Sequence, residues 1–129
     1  MITETTIYNH LITQWLVGIT ALKTKPHAKV EPTGNYVYVG RLSDNPDSRW
    51  LWWLHTRRSR FEFTIVCKKE LWAGESAIDI LNWYVEELIS IYDKKCNTDF
   101  ISQFASVSPV LYREDDRPMI IVDFIFNYS

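Results

Sequence analysis

The run from Met119 to Asn127 constrains the fold of this chain more than any other part of the sequence. Its side chains alternate between two faces, and both faces are largely apolar. One face carries Ile120, Val122, Phe124 and Phe126, and the other carries Met119, Ile121 and Ile125 with Asp123 among them. Apolar side chains on both faces indicate a strand in the middle of a sheet, because an edge or surface strand keeps one face polar. The sequence therefore predicts a central strand here.

Three further stretches have the composition of strands. Residues Asn35 to Leu42 are rich in β-branched and aromatic side chains. The region Arg49 to Lys69 predicts a second, longer strand or a strand pair, because apolar and polar residues alternate between Phe61 and Cys67. Residues Ser106 to Tyr112 are few and include Pro109, which is typical of an edge strand.

Two segments have the apolar spacing of amphipathic helices. The first runs from about Thr5 to Leu22 and ends before Lys25-Pro26, because proline disfavours a helical conformation in the residue before it. The second begins near Ser76, which forms a capping box with Asp79, and ends near Lys94.

The predicted order is therefore helix, strand, strand, helix, strand, strand. This order predicts the α+β class, with an antiparallel sheet of four strands or slightly more and both helices on one face. Residues 97 to 105 are predicted to be a connection with room for a short helical turn. No linker composition divides the chain, so residues 1–129 are expected to form a single domain.

Residues that carry catalysis or bind metals do not occur in the required patterns. The histidines His10, His27 and His55 are scattered, and no serine or cysteine stands beside them in a catalytic motif. Cys67 and Cys96 do not have the spacing of a zinc site. We therefore expect no enzymatic activity, no cofactor and no metal. The sequence shows neither a signal peptide nor an apolar run long enough to cross a membrane.

Aromatic and basic residues are concentrated between positions 49 and 60. This aromatic-basic segment consists of Arg49, Trp50, Trp52, Trp53, His55, Arg57, Arg58 and Arg60, with the residues between them. Tryptophans beside arginines can stack on single-stranded nucleic acid, and the same residue types dominate protein interfaces. The net charge of −2 favours the protein interface, because general nucleic-acid binders are basic. The acidic turn, formed by Glu114, Asp115 and Asp116, is also predicted to contact a partner.

The element order and several stretches resemble the tail terminator proteins of long-tailed bacteriophages. The stretches that carry the resemblance are Pro32-Thr33-Gly34-Asn35-Tyr36-Val37-Tyr38-Val39 at the first strand, Arg57 to Lys69 as a long second strand, Ala77 to Ile91 as the second helix, Tyr112 to Asp116 as an acidic turn, and Ile120 to Tyr128 as the closing strand. The run Trp50 to Leu54 departs from the family's pattern.

The resemblance implies a structural virion protein of the tail or neck, assembled in the host cytoplasm. It implies a homohexameric ring that caps the tail tube, stops its polymerisation and joins it to the head connector or completion protein. In a contractile tail the ring would also meet the sheath protein. DNA would pass through the lumen without being read, and neither a cofactor nor a membrane would be involved. A single-stranded nucleic-acid-binding module and another head–tail completion protein are the alternatives.

Overall fold

The computed structural model describes residues 3–14, 19–46, 57–68, 77–96 and 100–128. These residues form an α+β fold with two α-helices, a short 3-10 helix and one sheet of seven strands. In chain order the elements are α1 (Glu4–Gln14), β1 (Thr20–Leu22), the 3-10 helix (Ala28–Val30), β2 (Tyr36–Pro46), β3 (Arg57–Val66), α2 (Ala77–Tyr92), β4 (Lys95–Cys96), β5 (Ile101–Val107), β6 (Leu111–Tyr112) and β7 (Pro118–Tyr128).

The sheet is built around β7, which pairs with β3 on one side and with β5 and β6 on the other. The strand order is β1-β2-β3-β7-β5-β4, and every pair is antiparallel except β1 with β2. In the centre, Phe61 of β3 lies opposite Phe124 of β7. The prediction of a central strand at this run is therefore confirmed.

Both helices pack on one face of the sheet and form a single core with it. The fully buried helix residues include Ile7 and Leu11 of α1 and Leu81, Leu88 and Tyr92 of α2. They join the sheet residues Val37, Phe63, Val122 and Phe124, which the strand register places on the same face. The Tyr92 hydroxyl also donates a hydrogen bond of 3.2 Å to the carbonyl of Ile7, which links the end of α2 to α1.

The predicted four-stranded antiparallel sheet is smaller and simpler than the observed one. The described part of the first helix is Glu4–Gln14, and Thr20–Leu22, which was predicted to be its end, instead forms β1, parallel to the start of β2. Gly18 and the β-branched residues Ile19 and Thr20 that follow it have low helix propensity. The edge of β2 offers an alternative, because the Thr20 amide donates to the carbonyl of Asn35 at 3.0 Å.

The predicted connection at residues 97–105 contains a strand that the sequence pattern did not indicate. Residues Ile101–Val107 form β5, and the predicted edge strand Ser106–Tyr112 is divided between the end of β5 and β6, with Pro109 between them. The pairing of β5 with β7 shifts register between Phe104 and Ser106. A bulge of this kind interrupts the alternation of inward and outward side chains, so a search for period-2 patterns misses the strand.

Candidate protein-interaction surfaces

The face of the sheet opposite the helices, called the second face from here on, carries the side chains that alternate with the core residues. Its members on β2, β3 and β7 are Tyr38, Gly40, Arg58, Arg60, Glu62, Thr64, Val66, Met119, Ile121, Asp123, Ile125 and Asn127. Within the described residues, the buried side chains of both helices belong to the core on the other side of the sheet. The second face is thus a broad surface that mixes aliphatic and charged groups.

Two arginines of the aromatic-basic segment lie on the second face and contact β7. Arg60 donates from Nη2 to Asp123 Oδ2 at 2.9 Å, and Ser106 Oγ donates to the same oxygen at 3.0 Å. Arg58 lies opposite Asn127 and donates from Nε to its Oδ1 at 3.5 Å. These arginines are therefore already engaged by their own chain, which reduces their value as phosphate-binding groups.

Next to Arg60, two carboxyl groups face each other across β3 and β7. Glu62 pairs with Asp123 in the strand register, and Glu62 lies against Gly40, where a Cβ would be 3.6 Å from its Cγ and Oε1. Burial raises the pKa of Glu62, and the negative charge of Asp123 raises it further. The Asp123 side chain is 17% exposed, and its Oδ1 is buried with no hydrogen-bond partner among the described residues. Arg60 therefore balances the charge of Asp123, and its own Nε is likewise buried without a hydrogen-bond partner among the described residues.

Aliphatic side chains surround these carboxylates. Met119, Ile121 and Ile125 of β7 are half-buried on the second face, and Val66 of β3 is buried beside Met119. On the neighbouring edge of the sheet, Ile101 is 55% exposed. Such a mixture of a partly exposed aliphatic row and a few charged groups is typical of a surface that contacts another protein.

The acidic turn connects β6 to β7 as a tight hairpin. The amide of Asp116 donates to the carbonyl of Arg113 at 2.9 Å, and Asp116 has a φ of 62°, which aspartate tolerates better than most residues. Asp115 accepts a hydrogen bond of 3.1 Å from Arg113, and Glu114, Asp115 and Asp116 are all exposed. The turn therefore presents its carboxylates to solvent, as a contact surface requires.

An ionic network that the sequence did not predict fixes this turn to the start of β2. Glu31 accepts hydrogen bonds from Arg113, from Arg117 at 3.2 Å and from the Tyr36 hydroxyl at 2.6 Å. Arg117 also donates to the carbonyls of Pro32, Gly34 and Cys67, at 3.0, 2.6 and 3.1 Å. Glu31 and Arg117 are 86 residues apart in the chain, so no local spacing could have indicated their contact.

The network changes the acidity of its members. The hydrogen bonds from Arg113 and Tyr36 lower the pKa of Glu31 to about 2. Burial and the hydrogen bond to Glu31 raise the pKa of Tyr36 to about 12. Glu31 is therefore ionised, and Tyr36 is neutral, at any physiological pH.

A cavity of about 280 Å³ lies next to this network, and a basic loop closes one side of it. The basic loop, residues 23–30, contains Lys23, Lys25, His27 and Lys29 and no acidic residue. Lys25 lines the cavity with Tyr36, Val66 and Met119, whereas Lys29 is exposed and Val30 is 70% exposed. The sequence analysis assigned no function to this loop, although its three lysines within seven residues are visible in the sequence.

Of the two regions that the sequence predicted as interface, the structure describes the acidic turn and only part of the aromatic-basic segment. Arg49, Trp50, Trp52, Trp53 and His55 lie outside the described residues. The backbone of Arg57 pairs with Pro46 and Tyr128 at one end of the sheet, whereas the acidic turn adjoins Met119 and Val66 at the other. The strand from Arg57 to Val66 has ten residues, so its ends lie roughly 30 Å apart. The backbone of Arg57 and the acidic turn therefore lie at opposite ends of the sheet.

Other kinds of site find no support in the part of the chain that the structure describes. No group of three or more metal-ligating side chains occurs there. None of its helices is long and apolar enough to cross a membrane. Cys67 is buried and Cys96 is exposed, and burial raises the pKa of the Cys67 thiol to about 11.

Comparison with models of protein families gives no match for this chain, and comparison with curated proteins gives no significant match.

Proposed function

We propose that this chain is a structural virion protein of the tail-terminator kind. In this proposal it forms a homohexameric ring that caps the tail tube, stops its polymerisation and joins it to the head connector or completion protein. The basis of the assignment is the sequence resemblance, which covers nearly the whole chain. The observation that supports it most is the second face, where Met119, Ile121 and Ile125 remain partly exposed among the described residues although Thr64 and Val66 are buried.

The surfaces of the molecule suit a ring in two ways. A ring is built from a heterologous contact, in which two different patches of the same subunit meet. The chain has exposed charged patches of both signs, at the acidic turn and along the basic loop. In addition, the acidic turn lies at the opposite end of the sheet from the backbone of Arg57, which leaves room for separate contacts with the tube and with the head connector.

Mass and shape in solution test the proposal. We expect analytical ultracentrifugation and negative-stain images to show closed six-membered rings at high protein concentration or after addition of a tail tube protein from the same source. Tube assembly in the presence of the chain should stop at a defined length. A stable monomer under both conditions would contradict the proposal.

The same preparation separates the proposal from nucleic-acid binding. A nucleic-acid module should bind a fluorescent single-stranded oligonucleotide at low salt, and Trp52→Ala should abolish that binding. We expect no such tight binding, because Arg60 is paired with Asp123 and Arg58 contacts Asn127. Strong, salt-dependent and tryptophan-dependent binding by a monomer would favour the nucleic-acid module.

A further inference from the structure

We propose that the cavity beside the ionic network binds a small aromatic carboxylate, that is, a flat ring joined to a carboxylate group. The cavity lies between the basic loop and the second face, and its lining includes Lys25, Pro26, Tyr36, Tyr38, Val66 and Met119. This inference concerns a single subunit, so it does not depend on the proposed ring.

The cavity has the size and the apolar surface that an aromatic group requires. Its volume of about 280 Å³ leaves room for roughly 200 Å³ of ligand atoms at the packing density of a protein interior. The rings of Tyr36 and Tyr38 stack with their centroids 6.2 Å apart, and both line the cavity beside Val66 and Met119. Aromatic and aliphatic side chains of this kind typically line the binding sites of small molecules.

The charged groups around the cavity leave one positive charge without a partner. Glu31 also lines the cavity, but Arg113 and Arg117 both donate hydrogen bonds to it. Arg113 bonds Asp115 as well, at 3.1 Å, so the two arginines of the network face two carboxylates. Lys25, in contrast, makes no ion pair with any described residue. The site therefore has an excess of one positive charge, which favours a ligand with one negative charge.

Two polar groups of the lining can hold the carboxylate of such a ligand. Lys25 supplies an ammonium group, and the hydroxyl of Tyr38 has no hydrogen-bond partner in the part of the chain that the structure describes. Hydrogen bonds to an ionised acceptor are stronger than those between neutral groups. A ligand whose ring lies against Tyr38 and Met119, and whose carboxylate meets Lys25, contacts both the apolar and the charged part of the lining.

Titration of ¹⁵N-labelled protein with N-acetyl-L-tyrosine tests the proposal. We expect saturable shifts of the amide signals of Tyr38, Val66 and Met119, with a dissociation constant of about 1 mM or lower. The neutral N-acetyl-L-tyrosinamide keeps the ring without the carboxylate, and sodium acetate keeps the carboxylate without the ring. Both controls should bind at least about tenfold more weakly, because each lacks one of the two contacts.

Replacing Lys25 separates the charge contact from the ring contact. Lys25→Gln should weaken the binding of N-acetyl-L-tyrosine to the level of the amide, and leave the binding of the amide unchanged. Lys29→Gln is the matched control, because Lys29 is an exposed lysine of the same loop that does not line the cavity. Since Lys25 and Lys29 are both exposed, the two variants should have the melting temperature of the wild type, which separates a loss of binding from a loss of folding.

A peptide distinguishes a free acid from a carboxylate that belongs to a partner protein. Acetyl-Tyr-Asp-amide carries the same ring and one carboxylate on a stretch of peptide chain. Both sources supply the proposed chemistry. Tighter binding of this peptide than of N-acetyl-L-tyrosine would assign the ligand to a protein partner, and weaker binding would assign it to a free acid.

Three results would overturn the proposal. They are equal binding of N-acetyl-L-tyrosine and its amide, equal binding of the acid by the wild type and Lys25→Gln, and shifts that do not saturate by about 10 mM. The proposed ring fails independently: a subunit that binds the acid but stays monomeric with tube protein keeps the site and loses the ring.

Discussion

Among single residues, folding shifts the pKa values of Glu31 and Glu62 in opposite directions. Folding surrounds Glu31 with donors from Arg113, Arg117 and Tyr36, so its pKa falls to about 2. Folding takes water from Glu62 and places it opposite Asp123, so its pKa rises. The dependence of stability on pH therefore has opposite signs at these two carboxyl groups.

Replacing Glu31 with glutamine should lower the free energy of unfolding at pH 7 by about 2 kcal/mol, since two arginines lose their charged partner. A pKa lowered from 4.5 to about 2 corresponds to roughly 3 kcal/mol at about 1.4 kcal/mol per pH unit, and solvent screening reduces this to about 2. That stability is present above pH 4.5 and is lost as the pH falls towards 2. Urea denaturation of the wild type and Glu31→Gln at several pH values measures the difference, which should shrink in this range.

Glu114→Gln is the control for this experiment. Glu114 is an exposed carboxylate of the acidic turn, so its replacement should change stability by less than about 0.5 kcal/mol at any pH. Equal effects of Glu31→Gln and Glu114→Gln would show that the network around Glu31 does not stabilise the fold.

Replacing Glu62 with glutamine should have the reverse effect on the isolated subunit. Because the folded state holds the pKa of Glu62 above its ordinary value, the ionised side chain opposes folding at pH 7. Glu62→Gln removes that charge and should raise the urea midpoint at pH 7. The gain should diminish as the pH falls below 4.5, where the carboxyl group is protonated in both states. A lower midpoint at pH 7 would contradict this account.

At the scale of elements, α1 is stabilised by its contacts with the sheet and with α2 more than by its own sequence. Ile7 and Leu11 are fully buried, whereas Ile12 is 48% exposed. Leu11→Ala should therefore lower the free energy of unfolding by about 2–4 kcal/mol, and Ile12→Ala by less than about 1 kcal/mol. Chemical denaturation of the two variants measures both values. Similar losses would mean that α1 does not pack through the face described.

The sequence predicted those elements whose pattern is local and regular. The alternation along β7 and the apolar stripe of α2 led to bounds within one or two residues of those observed, whereas the predicted region Arg49 to Lys69 extends beyond the described strand β3, Arg57–Val66. Prediction from the sequence pattern failed where a tertiary contact overrides the local preference for helix or strand. Thr20–Leu22 is held as a strand by the neighbouring β2, and the bulge between Phe104 and Ser106 hides the alternation of β5.

The candidate surfaces were predictable in part for the same reason. Arg58, Arg60 and the acidic turn are conspicuous in the sequence because residues of similar charge adjoin one another. The Glu62–Asp123 pair and the Glu31–Arg117 contact depend on strand register and on residues 61 and 86 positions apart. Only the folded chain brings such residues together, so composition and spacing contain no sign of them.

At the scale of the whole molecule, the central position of β7 affects how the protein is made. A ribosome synthesises β2, β3 and α2 well before β7, but β3 and β5 become neighbours only through β7. Until then the nascent chain exposes two strand edges and the apolar surface of its unfinished core, a state that is prone to aggregation. A chain that ends at Arg117 should therefore show no protected amides in β3 by hydrogen exchange. During synthesis of the full chain, the soluble yield should depend on chaperones, because the core stays unfinished until Tyr128 has been translated.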